Sequence, residues 1–279
     1  MLFRSLRETS GVRPALAEGL TALLNAGIHP VVPEQGSVGA SGDLAPLSHI
    51  ALALLGEGDV DVRHPVRGRT VAVRQRAAAA LQEAGISPLH FEAKEGISFV
   101  NGTQAQTALL ALLVYDARRL WRAAHAAAAM SLEALRGTPD PFDERIHLAR
   151  PHPGQIASAA LLRELLADSE IRESHRDNDP RVQDAYSLRC TPQVLGPVHD
   201  AIEFAARTAE IELNASTDNP LVFEDGILSG GNFHGQPVSQ ALDFLKISLS
   251  TLANISRSEE RRVGKECRIG CRSRWSPYH

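Results

Sequence analysis

A chain of 279 residues that is 43% hydrophobic but only 5% aromatic can bury one large core or two smaller ones, and its wealth of Ala and Leu favours helices packed on helices. Its net charge of −4 is uneven: positions 256–279 hold seven Lys or Arg against three Glu, so the body before them is acidic and a basic nucleic-acid face is excluded there. Three cysteines, no apolar run of bilayer length and an opening MLFRSLRETSGVR without a signal-peptide core point to a cytoplasmic, disulfide-free protein with no membrane partner.

The first periodic stretch runs from Pro14 to Ala26, with Leu16, Leu20, Leu23 and Leu24 on one stripe and Gly27 as a stop. GIHPVVPEQGSVGASG follows as a loop punctuated by Pro and Gly, leading to an apolar helix from Leu44 to Leu55 that Gly56 closes. DVDVRHPVRGRTVAV alternates its valines about a glycine and predicts a small hairpin. Thr103 to Leu135 reads as one alanine-rich helix much longer than the globular average. Further helices are predicted from Ile156 to Asp168, Pro192 to Leu213 and Gln236 to Ile255, with an extended excursion at LVFEDGILSGG. The expected class is all-α: an elongated helical bundle with a long central helix and a small β-hairpin excursion.

Common chemical signatures are missing. There is no phosphate loop, no GxGxxG after a strand, no HExxH and no paired Cys/His spacing in the body, and the eleven histidines are scattered, so no metal is expected. What remains is a set of polar strings set among apolar helices. Ala40-Ser41-Gly42-Asp43 by itself reads as a loop and N-cap, and NGTQ as a turn with Thr103 capping the long helix. Gln183, Tyr186 and Arg189 are spaced three apart, so on a helical turn they share a face. An amide, a phenol and a guanidinium together suit a small anion, with Arg189 forking a carboxylate; a hydrogen-bond network between helices explains the same residues equally well.

Taken in order, GSVGASGDLAPLSH, KEGISFVNGTQ, QDAYSLRCTPQVLG, STDNPLVF and GGNFHGQP resemble the motifs of the aromatic amino acid lyase family, over roughly Ser10 to Ser256. The resemblance implies that Ala40, Ser41 and Gly42 cyclise and lose water to form 4-methylidene-imidazol-5-one, so that no external cofactor is needed. Small residues suit that chemistry, because the Gly42 nitrogen must approach the Ala40 carbonyl and glycine tolerates the closing turn. Ser41 supplies the departing hydroxyl.

The same resemblance implies elimination of ammonia from L-histidine to give urocanate, in histidine catabolism. Asn101 and Tyr186 would stand near the ring, Asn101 polarising its carbonyl oxygen. Gln183 and Arg189 would orient the substrate, Arg189 through its carboxylate; Phe233 would line the pocket, and Asp43 would support the loop and cap its own helix. A homotetramer with shared active sites and a small amino-acid substrate are implied partners. Alternatives are a tyrosine or phenylalanine ammonia-lyase or aminomutase of the same family, or an inactive helical fragment. Residues 1–256 read as the central portion of such a domain, with its N- and C-terminal parts missing. Residues 257–279 read as a basic tail that is non-native or disordered, with a polyanion-binding tail as the other reading.

Overall fold

In the computed structural model, residues 8–36, 41–66, 69–177 and 182–263 are described. Among the described residues helices take up 60% and strands 10%, as the all-α expectation requires. In chain order the helices are α1 (Pro14–Asn25), α2 (Leu44–Leu54), α3 (Ala77–Glu83), α4 (Glu95–Val100), α5 (Gln104–Ala134), α6 (Glu144–Leu148), α7 (Pro153–Leu165), α8 (Glu170–Glu173), α9 (Tyr186–Arg189), α10 (Thr191–Leu213) and α11 (Gln236–Val263). The strands are β1 (Ile28–Pro30), β2 (Asp59–Val66), β3 (Arg69–Arg76), β4 (Leu221–Phe223) and β5 (Gly226–Leu228).

Both extended excursions form antiparallel hairpins. In the larger, Val62 faces Val73, and a strand absent from the sequence expectation, β1, pairs with β2 on its other edge. Three residues are too short to show a period of two, which is why β1 was illegible. Gly27 turns the chain into it at φ +66°, and its carbonyl accepts from the Arg63 N–H at 2.9 Å. α7 starts earlier than predicted because Pro153 occupies its first turn, where a missing N–H costs nothing. α11 runs through Ser256 to Val263, so helix continues into the segment read as tail; 264–279 lie outside the described residues.

Two compact units divide the chain: residues 1–112 with 206–240, and 113–205 with 241 onward. In the first, Leu16, Leu23, Ile28, Leu54, Val60 and Leu81 anchor an apolar cluster from α1, α2, α3 and the sheet. In the second, Leu132, Phe142, Ala159, Leu162 and Leu188 form another. α7 meets α10 there at Gly154 and Gly196, where a Cβ on either would run into the other's backbone.

One expectation is corrected. The helical run Glu95–Ala134 is long and apolar enough, by length and composition, to cross a membrane. A core helix satisfies the same test for a different reason: Leu110, Val114, Ala117 and Trp121 are buried within protein, and the Trp121 indole N–H donates to the Leu195 carbonyl at 2.9 Å.

Candidate active site

In the first unit the Ala-Ser-Gly segment meets the start of the long helix. Ala40 lies outside the described residues. Ser41 is buried at 3% exposure, and Gly42 sits at φ +76°, in the left-handed region that glycine enters without strain.

Asp43 corrects the reading of its role. It stands at the N-cap position of α2 but makes no side-chain cap there. Its Oδ2 instead accepts from the Ala105 N–H at 2.8 Å and the Gln106 N–H at 3.1 Å, capping α5. A helix start leaves four amide donors free and carries partial positive charge, so a carboxylate from another segment satisfies both. Burial pushes the Asp43 carboxyl up, and these two amides pull it back. Thr103 stands at the N-cap position of α5, its carbonyl accepting from the Thr107 N–H at 2.9 Å, while its hydroxyl donates to Glu212 Oε2 at 2.6 Å and the Ala105 and Gln106 backbone amides go to Asp43. Gln106, which the sequence reading passed over, donates its side-chain amide to the Ser41 carbonyl.

Asn101 is the C-cap residue of α4, half-buried, with its N–H on the Ile97 carbonyl at 2.9 Å. Two charged ties hold that helix. Glu95, 1% exposed, accepts from Arg13 Nε at 2.7 Å, Arg13 Nη2 at 2.8 Å, and the backbone N–H groups of Arg13 and Glu92. The Arg13 fork, together with those amides, holds its carboxyl down at about 2. Lys94 Nζ donates to Asp218 Oδ2 at 2.8 Å, Ser98 Oγ at 2.5 Å and the Ser10 carbonyl at 3.2 Å. Ser10 Oγ donates to Asp218 Oδ1 at 3.1 Å. STDNP thus carries the anion that anchors Lys94. Phe233 is half-buried in the turn before α11.

In the second unit, Gln183 precedes the one-turn helix α9 instead of sharing its face. The two side chains meet all the same: Arg189 Nη1 donates to Gln183 Oε1. Arg189 Nε is buried with no hydrogen-bond partner among the described residues. A guanidinium with an unused buried N–H beside an amide is equipped to take a carboxylate. Tyr186 opens α9 and is 63% exposed.

A family model described as aromatic amino acid lyase matches residues 2–268. Histidine ammonia-lyase of Geobacillus sp. (strain WCH70) is 52% identical over 260 residues, covering 92% of this chain and 49% of that protein. Its counterpart in Koribacter versatilis (strain Ellin345) is 53% identical over 268 residues, covering 91% and 50%. Among solved structures, histidine ammonia-lyase from Trypanosoma cruzi matches with a TM-score of 0.80 at 40% identity, over 94% of this chain and 48% of that one. A tyrosine aminomutase from Streptomyces globisporus gives 0.79 at 42%, over 91% and 50%. The chain spans about half the length of the curated relatives it matches.

Proposed function

Since the chain belongs to the aromatic amino acid lyase family, we propose that the protein it forms part of is a cytoplasmic enzyme that eliminates ammonia from L-histidine, giving urocanate. The observation that carries this reading is the identity of 52% to a histidine ammonia-lyase across 92% of the chain. The 42% identity to a tyrosine aminomutase favours a second one, elimination or amine migration on tyrosine.

Joined as 4-methylidene-imidazol-5-one, Ala40, Ser41 and Gly42 supply an electrophile that takes the substrate amine and turns it into a leaving group. The roles of the other residues are those that the family resemblance implies. Asp43 fastens the loop to the first turn of α5, so Ser41 is held away from water. Asn101 and Tyr186 contribute polar groups near the ring, and Phe233 an apolar wall. The planar fork of Arg189 receives the substrate carboxylate at two points, with Gln183 setting its orientation. Assembly into a homotetramer with shared sites is supported by apolar side chains left exposed along α5, among them Leu112, Tyr115 and Met130.

The test uses the full-length protein carrying this sequence. Wild-type protein should lose two waters in the peptide containing Ala40 to Gly42, seen by mass, and release ammonia from histidine faster than from tyrosine or phenylalanine. Ser41→Ala should keep the fold, retain both waters and release no ammonia, because alanine has no hydroxyl to lose. Substantial ammonia release by that variant would overturn the mechanism. Arg189→Lys should still lose two waters, with kcat/KM on histidine lowered roughly ten- to a hundred-fold, the worth of a charge-assisted hydrogen bond. Unchanged kcat/KM there would remove Arg189 from the carboxylate.

A further inference from the structure

We infer that Gln106 is a positioning residue for the electrophile: its side-chain amide polarises the Ser41 carbonyl, easing the loss of water from Ser41 and sharpening the resulting alkene. The inference rests on the function proposed above and deepens it.

Three observations converge on this amide. Its donor atom bonds to the Ser41 carbonyl oxygen, and Ser41 is 3% exposed, so the bond acts where water competes little. Its backbone is fixed from the same segment, by Asp43 Oδ2 at 3.1 Å. It also lies against two bare Cα atoms. A Cβ on Gly235 would stand 2.9 Å from Gln106 Oε1 and 3.0 Å from Cδ, while one on Gly42 would reach only to 3.9 Å from Nε2. The glycine that ends GGNFHG therefore leaves the room in which the Gln106 amide sits.

The chemistry follows from which carbonyl is held. The Ser41 Cα–H bond is adjacent to it. When that bond breaks, its electron pair is delocalised on to the carbonyl oxygen, then returns to form Cα=Cβ as the Cβ–Oγ bond breaks. The abstracted proton and the departing hydroxide make one water, and nothing is oxidised or reduced. A donor already aimed at the oxygen stabilises the negative charge that develops there. The alkene so formed is conjugated with the same carbonyl, so the same hydrogen bond draws electron density away from the Ser41 Cβ. Gln106 thus works on the oxygen that the family resemblance assigned to Asn101.

The experiment follows two-water loss over time by intact mass on freshly synthesised full-length protein, and records the ultraviolet band of the conjugated ring once formed. Gln106→Met keeps the length of the side chain and removes the donor. Loss of the second water should slow about ten-fold, equivalent to about 1.4 kcal/mol of barrier, and the band should move to shorter wavelength, as a carbonyl freed from a donor requires. Gly235→Ala, which leaves Gln106 in the sequence but pushes its amide away, should shift rate and band in the same direction. A residue that only packed the loop would leave the band where it is. Wild-type protein that never loses two waters overturns the proposed function and this inference with it. Wild-type protein that does lose them, while both variants keep its rate and its band, overturns the role of Gln106 alone.

Discussion

The first unit buries three carboxylates on charged or amide partners, whereas two buried histidines of the second are held as neutral donor and acceptor. Glu95, Asp218 and Asp43 are 1%, 1% and 4% exposed and are held by Arg13, Lys94 and the first amides of α5. In the second unit, His125 Nδ1 donates to the Trp121 carbonyl at 2.7 Å and Nε2 accepts from Ser158 Oγ at 2.6 Å. His147 is used the same way, donating from Nε2 to the Pro141 carbonyl and accepting at Nδ1 from Gln155 Nε2, each at 3.0 Å. Only a neutral imidazole offers one donor and one acceptor, and burial accordingly lowers both pKa values. Charged ties fix direction strongly but leave a costly orphan when broken; neutral ties cost less to lose. Asp43, next to the Ala-Ser-Gly segment, is a buried carboxylate held by backbone amides.

The largest expected effect comes from Lys94→Met, which strips Asp218 of its cation. It should cost about 3–5 kcal/mol, read as a lower midpoint in chemical denaturation. A cost below about 1 kcal/mol would show that Ser10 and the surrounding donors carry Asp218 without the lysine, and the contrast between the units would weaken.

Acid should separate the two regions. The folded pKa of Glu95, about 2 against an ordinary 4.5, lies below its unfolded value. The unfolded chain therefore binds the proton first, and stability present above pH 4.5 is lost as pH falls toward 2. The histidines also have lowered folded values, so their contribution begins to fall already below their ordinary 6.5. Peptide-resolved hydrogen exchange across pH should show the segments around 121–125 and 147–158 losing protection at a higher pH than those around 13 and 95. The reverse order would contradict the assignment of neutral and charged cores.

The smallest effect is expected from Ser158→Ala. It leaves His125 Nε2 without its donor, and should lower stability by about 1–2 kcal/mol while changing nothing about two-water loss in the other unit. A change in electrophile formation in that variant would mean the two regions are not independent in this respect.

By itself the sequence determined a good deal. The leucine stripe of α1, the apolar run of α2, the alanine-rich length of α5 and the alternating valines of β2 and β3 are local periodicities, so each element was legible with an error of a few residues at its ends. The polar strings were legible as strings, and Arg189 with Gln183 as neighbours, because they stand within one or two turns of each other. Partners distant in sequence were not. Asp43 was assigned to the helix it immediately precedes, yet it caps one that starts 61 residues later. Thr103 stands at the N-cap position of that helix as expected, yet its hydroxyl meets Glu212. Lys94 and Asp218 are 124 positions apart, His125 and Ser158 33, and nothing in either neighbourhood names the other. Nothing in the sequence around Gln106 names Gly235 or Ser41, the two residues its amide lies against. Periodicity reports which face of an element is buried; which donor meets which acceptor is settled only when the chain closes its long loops, and at this site those meetings set the chemistry.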